Sequence, residues 1–160
     1  MTTPRRSVSL LVLMLGVILV ALPLGSASAA VTGHQALEAV SASNSSNKSV
    51  IAGCPVGKQL VGAGATRASA AGPHVLVDGM RIGAGLTTVT VNGVEDETGF
   101  PNDWTVTAYA ICSTPLPGLQ LVSKTSGVSS ANKSVSAACP TGKKVVTNDF
   151  ENFVCTSRAS

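Results

Sequence analysis

Two residues with the chemistry of a hydrolase lie four apart in the segment PHVLVDGM: His74 and Asp78. Side chains alternate between faces along a strand, so both fall on one face with Leu76 between them. A His–Asp pair orients a base for a serine nucleophile. No Gly-x-Ser-x-Gly elbow supplies that nucleophile, and the serines cluster in two polar stretches. The pair reads first as a polar couple at a strand edge. Its alternative is the base of a small hydrolase.

A second concentration of polar chemistry is acidic. Glu95, Asp96, Glu97 and Asp103 surround the loop before Trp104. Carboxylate oxygens gathered in one loop are calcium chemistry. The spacing matches no EF-hand loop, so solvated acids are the plainer account and no cofactor is expected, calcium being the one candidate. A glycosidase needs two acids facing each other across a cleft, and acids crowded on one loop argue against it. An exposed Val94–Asp103 loop is also the shape an inhibitor inserts into a target. Trp104 and Tyr109 fall on opposite faces of the strand DWTVTAYAIC. Trp104 shares the face of Cys112, which places it in the core beside a disulfide. Tyr109 takes the other face, where an aromatic ring supports ligand stacking. The segment VGAGATRASAAG is rich in glycine but lacks the phosphate-binding Gly-x-x-x-x-Gly-Lys pattern. Its small residues suit closely packed sheets. Lys48 and Lys133 suit exposed strand ends that discourage edge pairing, or contacts with an anionic surface.

The elements that would position these groups belong to an exported chain. The first 30 residues have a basic start at Arg5 and Arg6, an apolar run from about Leu10 to Leu22, Pro23, and small residues up to Ala30. That is the layout of a secretory signal peptide. The run is shorter than the ~20 residues of a membrane-spanning helix, so no span is expected after cleavage. Arg5 and Arg6 account for two of the 11 basic residues, leaving nine against eight acidic ones. A near-neutral chain with five scattered aromatics is not a nucleic-acid binder. Cys54, Cys112, Cys139 and Cys155 all lie in the exported part, where disulfides persist. Without a Cys-x-x-Cys pair, zinc is the poorer use.

The chain repeats a phrase. NKSVIAGCPVGKQLVG at 47–62 and NKSVSAACPTGKKVVT at 132–147 share ten of sixteen positions at an offset of 85. Both follow Ser-rich stretches that read as flexible approaches. LTTVTV, DWTVTAYAIC and KSVIAGC alternate with period two and carry β-branched residues. Turn signals at Cys54–Gly57, Ala71–Pro73, Asn92–Gly93 and Gly99–Asp103 separate them. HQALEAV at 34–40 offers one short helical turn at most. The expected fold is all-β, a small antiparallel sandwich or barrel-like module with a truncated second repeat. Its segments are 1–30 signal, 31–46 flexible, 47–114 complete module, 115–131 linker and 132–160 truncated copy. Cys54 and Cys112 both lie on inward faces, so the first and last strands of the complete unit can be stapled. That pairs Cys139 with Cys155, the alternatives being free thiols or a link to another chain.

The residues NKSVxAxCPxGKxLVGAGA, LTTVTVNGVEDETG and DWTVTAYAIC resemble a repeat module of about 85 residues found in secreted proteins of high-GC Gram-positive bacteria. The resemblance covers roughly Ala36 to Lys144, and the chain departs from it after Val146. It implies secretion, β structure and the Cys54–Cys112 bracket, and brings no catalytic residue with it. The expectation is a secreted, non-catalytic binding or surface-associated module for an extracellular ligand such as a glycan, a cell-wall polymer or a protein. A hydrolase using His74 and Asp78, or an inhibitor using the 94–103 loop, are the alternatives.

Overall fold

The structure is a computed structural model that describes residues 31–68, 71–149 and 152–157. The expected signal peptide lies outside the described residues. Among the described residues there are nine strands: β1 (Gln35–Val40), β2 (Lys48–Gly53), β3 (Gln59–Arg67), β4 (Val75–Ile82), β5 (Thr88–Glu95), β6 (Val106–Ser113), β7 (Gln120–Ser123), β8 (Lys144–Asn148) and β9 (Asn152–Thr156). They form three small antiparallel sheets in the orders β1-β6-β3, β2-β5-β4 and β7-β9-β8. None closes into a barrel, so the all-β expectation holds in its open form.

The first two sheets build the complete unit. On β6, Val106, Ala108, Ala110 and Cys112 are all buried, and on β5 Val89 and Val91 meet them with Ala52 of β2. This is the period-two pattern turned into a core. Cys54 and Cys112 join the two sheets by a disulfide. The segment 34–40 corrects the sequence expectation. Its residues form β1, which pairs along β6 from Gln35↔Cys112 to Val40↔Thr107. Leu37 and Ala39 pack on the core from that strand, so a strand buries what one helical turn would leave exposed. The Ser-rich stretch after it is also fastened, Ser41 exchanging hydrogen bonds with the backbone of Val106.

The third sheet answers the question of the repeated phrase. Adding 85 to Gln35, the start of β1, gives Gln120, the start of β7, and adding it to Gln59, the start of β3, gives Lys144, the start of β8. Gln35 faces Cys112 and Gln120 faces Cys155. The bulge between Leu60 and Gly62 recurs between Val145 and Thr147. Cys155 is therefore the counterpart of Cys112, and it bonds to Cys139 as Cys112 bonds to Cys54. The copy is a half-unit that keeps one sheet and runs from β8 to β9 without the strands equivalent to β4 and β5. The counterpart of β2, residues 133–138, forms no strand. Its partner β5 has no equivalent, and a strand is stable only beside another.

The shared residues have a common structural use. Gly57 and Gly142 adopt φ of 82° and 80°, which a side chain disfavours. The amides of Lys58 and Lys143 close the turn on the carbonyls of Pro55 and Pro140 at 3.0 and 2.9 Å. The two ammonium groups then donate to the carbonyls of Gly33 and Gly118 at 2.7 and 2.8 Å. The Cys-Pro-x-Gly-Lys phrase is a clasp that ties each turn to the glycine two positions before the unit's first strand.

Candidate functional site

The structure gives His74 the acidic partner Asp96 and not Asp78. Asp78 is the extra residue of a bulge in β4, between Val77↔Gly93 and Gly79↔Asn92. Ahead of that bulge the ladder runs past Val75↔Glu95 to the Asp96 amide, which donates to the His74 carbonyl at 2.9 Å. There His74 Nδ1 lies 2.9 Å from Asp96 Oδ2. Asp96 also accepts from the amides of Thr98 and Gly99 at 2.9 and 3.2 Å through Oδ1. The His74 hydrogen bond, followed by those backbone amides, holds the Asp96 carboxyl below its ordinary range. Among the described residues no serine or threonine hydroxyl hydrogen-bonds to the imidazole. The pair fastens the start of the acidic loop to the start of β4.

Glu95 performs the same task on the loop's other side. Its Oε1 accepts from the indole Nε1 of Trp104 at 2.7 Å, and its Oε2 from the amide of Phe100 at 3.2 Å. Two of the four acids thus order the loop, while Glu97 and Asp103 stand exposed. Among the described residues no three His, Cys, Asp or Glu side chains converge on a metal position. Trp104 is buried, as expected of a core residue. It lies just before β6, bridged to Asn44 and eight residues from Cys112, however. Its neighbours are Gly93 and Lys48, not the disulfide.

Lys48 also differs from expectation. Its ammonium lies 4.1 Å from the centre of the Trp104 ring and donates to the carbonyl and side-chain oxygens of Asn44 and to the Ser46 carbonyl. The residue is buried. Burial lowers its pKa, against the raising effects of Glu95 and Asp103. The sequence treated it as a free strand-end lysine because nothing local marks a partner 56 positions away. Lys133 wraps its own approach segment in the same way, donating to the carbonyls of Ser129 and Ala131, but it remains exposed.

Tyr109 lies on the outer face of the β1-β6-β3 sheet, between Glu38 on β1 and Gly64 on β3. Its hydroxyl is 3.4 Å from that of Thr66. Ile111 and Val40 share the face and are 44% and 55% exposed. Gly62 and Gly64 keep the β3 side low, with a Cβ at Gly62 meeting the Ile111 side chain at 3.0 Å. The outcome is a shallow platform of one aromatic ring and two exposed aliphatic side chains, edged by the Glu38 carboxylate. Position Tyr109 was legible from strand parity. The platform around it was not, since β1 was not anticipated and supplies Val40 and Glu38. The acids of the 94–103 loop are not part of it.

The half-unit uses its corresponding face for packing. Val154, the counterpart of Ile111, is fully buried in the common core, with Leu121 beside it on β7. The complete unit leaves the same face open. No family model, no curated protein and no solved structure matches the chain.

Proposed function

We propose that this protein is a secreted, non-catalytic binding module that holds its ligand on the outer face of the β1-β6-β3 sheet, across Tyr109. The observation that carries this reading is the contrast between the two copies. Val154 is buried against protein, while Ile111 and Val40 at the open face of the complete unit are exposed around a half-exposed tyrosine. A flat face with an aromatic ring and low glycine flanks suits the planar side of a sugar ring in a glycan or cell-wall polymer. Secretion is supported by the signal layout of residues 1–30 and by two disulfides. Among the described residues no helix is long and apolar enough to cross a membrane.

The test is retention of the purified protein on cell-wall and polysaccharide fractions, followed by titration with soluble fragments. Tyr109→Ala should raise the dissociation constant about tenfold, equivalent to ~1.4 kcal/mol, with the far-UV circular dichroism unchanged. Absence of binding to every fraction, or binding indifferent to both Tyr109→Ala and Ile111→Asp, overturns the proposal. The inhibitor reading has one observation in its favour. The loop after β5 is ordered before any target arrives, by Asp96 on the Thr98 and Gly99 amides and by Glu95 on Phe100. Pre-ordering lowers the entropic cost of insertion. Loss of inhibition of a secreted hydrolase on cutting this loop would favour it over the platform.

A further inference from the structure

The register places Glu38, Tyr109 and Gly64 in one row across the outer face of β1-β6-β3. Glu38 is the sole charged residue that the three strands turn to this face. It is exposed, and among the described residues no hydrogen bond or ion pair holds its carboxylate. The basic residues at the two ends of β3 are engaged elsewhere. Lys58, just before it, donates to the Gly33 carbonyl, and Arg67, its last residue, to that of Gly72. The Tyr109 ring leans toward β3, away from Glu38. A Cβ at Gly64 would lie 3.8 Å from its Cδ2, and its hydroxyl is 3.4 Å from that of Thr66. An aromatic ring and a free carboxylate therefore stand side by side, on Cβ atoms about 5 Å apart.

We infer that the ligand of this platform is an amine-bearing polysaccharide, a chain of hexosamine units without their N-acetyl groups, whose ammonium sits between the Tyr109 ring and Glu38. This rests on the platform reading above and narrows it. A ligand laid across Tyr109 covers Glu38 as well. A neutral glycan can donate hydroxyls to the carboxylate but leaves its charge uncompensated beneath the ligand. An acidic polymer adds repulsion. An ammonium answers the carboxylate with a charge-assisted hydrogen bond, and the quadrupole of the ring draws it to the aromatic face. The same sugar residue supplies the rest. Its apolar side covers the ring, and its hydroxyls meet that of Thr66, an exposed residue on the β3 side. A lysine side chain of a peptide would use the ring and the carboxylate and leave the Thr66 hydroxyl unanswered.

Calorimetric titration with short glucosamine oligosaccharides, N-acetylated or with free amines, tests it. The free-amine form should bind about fivefold tighter at low salt and lose most of that preference in about 1 M salt, since exposed charges are screened. Glu38→Gln should bring the two forms level, and Glu38→Lys should invert the preference. Tyr109→Ala should weaken both. Glu97→Gln, on an exposed acid of the loop after β5, should alter neither. Equal affinity of the parent for the two forms, or a preference that survives Glu38→Gln, overturns the inference and leaves the platform reading in place. So does binding of neutral or acidic wall polymers alone. Tighter binding of a lysine-bearing peptide than of the amino sugar overturns it in favour of a protein ligand. Binding to no glycan at all overturns it together with the platform.

Discussion

At the scale of single residues, polar groups that suggested chemistry turn out to order backbone. Glu95 and Asp96 accept loop amides, and Lys48 donates to the turn before its own strand. Gly93 shows how tight that corner is. A Cβ there would lie 2.8 Å from the Trp104 ring and 3.6 Å from the Leu76 carbonyl. Gly93→Ala must push the indole off Glu95 and Lys48, and overpacking of this kind costs about 1–3 kcal/mol. Thermal unfolding and tryptophan emission should register a lower midpoint and a shifted spectrum; an unchanged midpoint would mean that the ring yields freely. Asp96 carries a pH dependence. Its carboxyl titrates below its ordinary 3.8 when folded, first because of His74 and then of the loop amides. A lowered folded pKa contributes stability above the unfolded value and loses it as pH falls through the folded one. Asp96→Asn should therefore be less stable than the parent at neutral pH, with the two converging in acid below 3.8. Urea midpoints measured across that range decide it, since parallel curves would remove Asp96 as the cause.

At the scale of elements, the strands with clean alternation were legible and those shaped by their partners were not. TVTV in β5 and VTAYAIC in β6 bury every second residue as their period requires. β1 sets Gln35 and Glu38 among four apolar residues without clean alternation, and becomes a strand because β6 offers it an edge. The bulge at Asp78 leaves no local mark either, and neither does the meeting of His74 with Asp96, which follows from the Val75↔Glu95 register across two strands. Residues 133–138 are the converse case, a strand sequence without its partner. The cysteine pairing was legible from parity and elimination, and both bonds are present. Their weights should differ. Cys54–Cys112 spans 58 residues and Cys139–Cys155 spans 16. Closing loops of those lengths is worth about 4 and about 3 kcal/mol in the chain-entropy model. Urea unfolding of the two double Cys→Ser variants should find the longer loop the greater loss. Equal losses would show that local packing, not chain entropy, sets the contribution.

At the scale of the whole molecule, one carboxylate joins the half-unit to the complete one. Asp149 directly follows β8, and the chain returns as β9 where the template continues through β4 and β5. It is buried, and its Oδ1 accepts from the Asn152 amide at 2.5 Å. Its Oδ2 accepts from the Ile82 amide at the end of β4 at 2.6 Å. The same side chain thus closes the shortened turn and latches it to the first unit, and Val154 enters the common core behind it. Asp149→Ala leaves those buried donors unsatisfied, at about 1–3 kcal/mol for each group so stranded. The loss should be local in its first expression. Amide exchange at Ile82 and Asn152 should accelerate markedly, while Val89 and Val91, paired within their own sheet, keep their protection. Protection lost evenly across both units would show that the two fold as one cooperative body. An unaltered Ile82 amide would show that apolar contacts around Val154 dock the half-unit and that the carboxylate serves only its own turn.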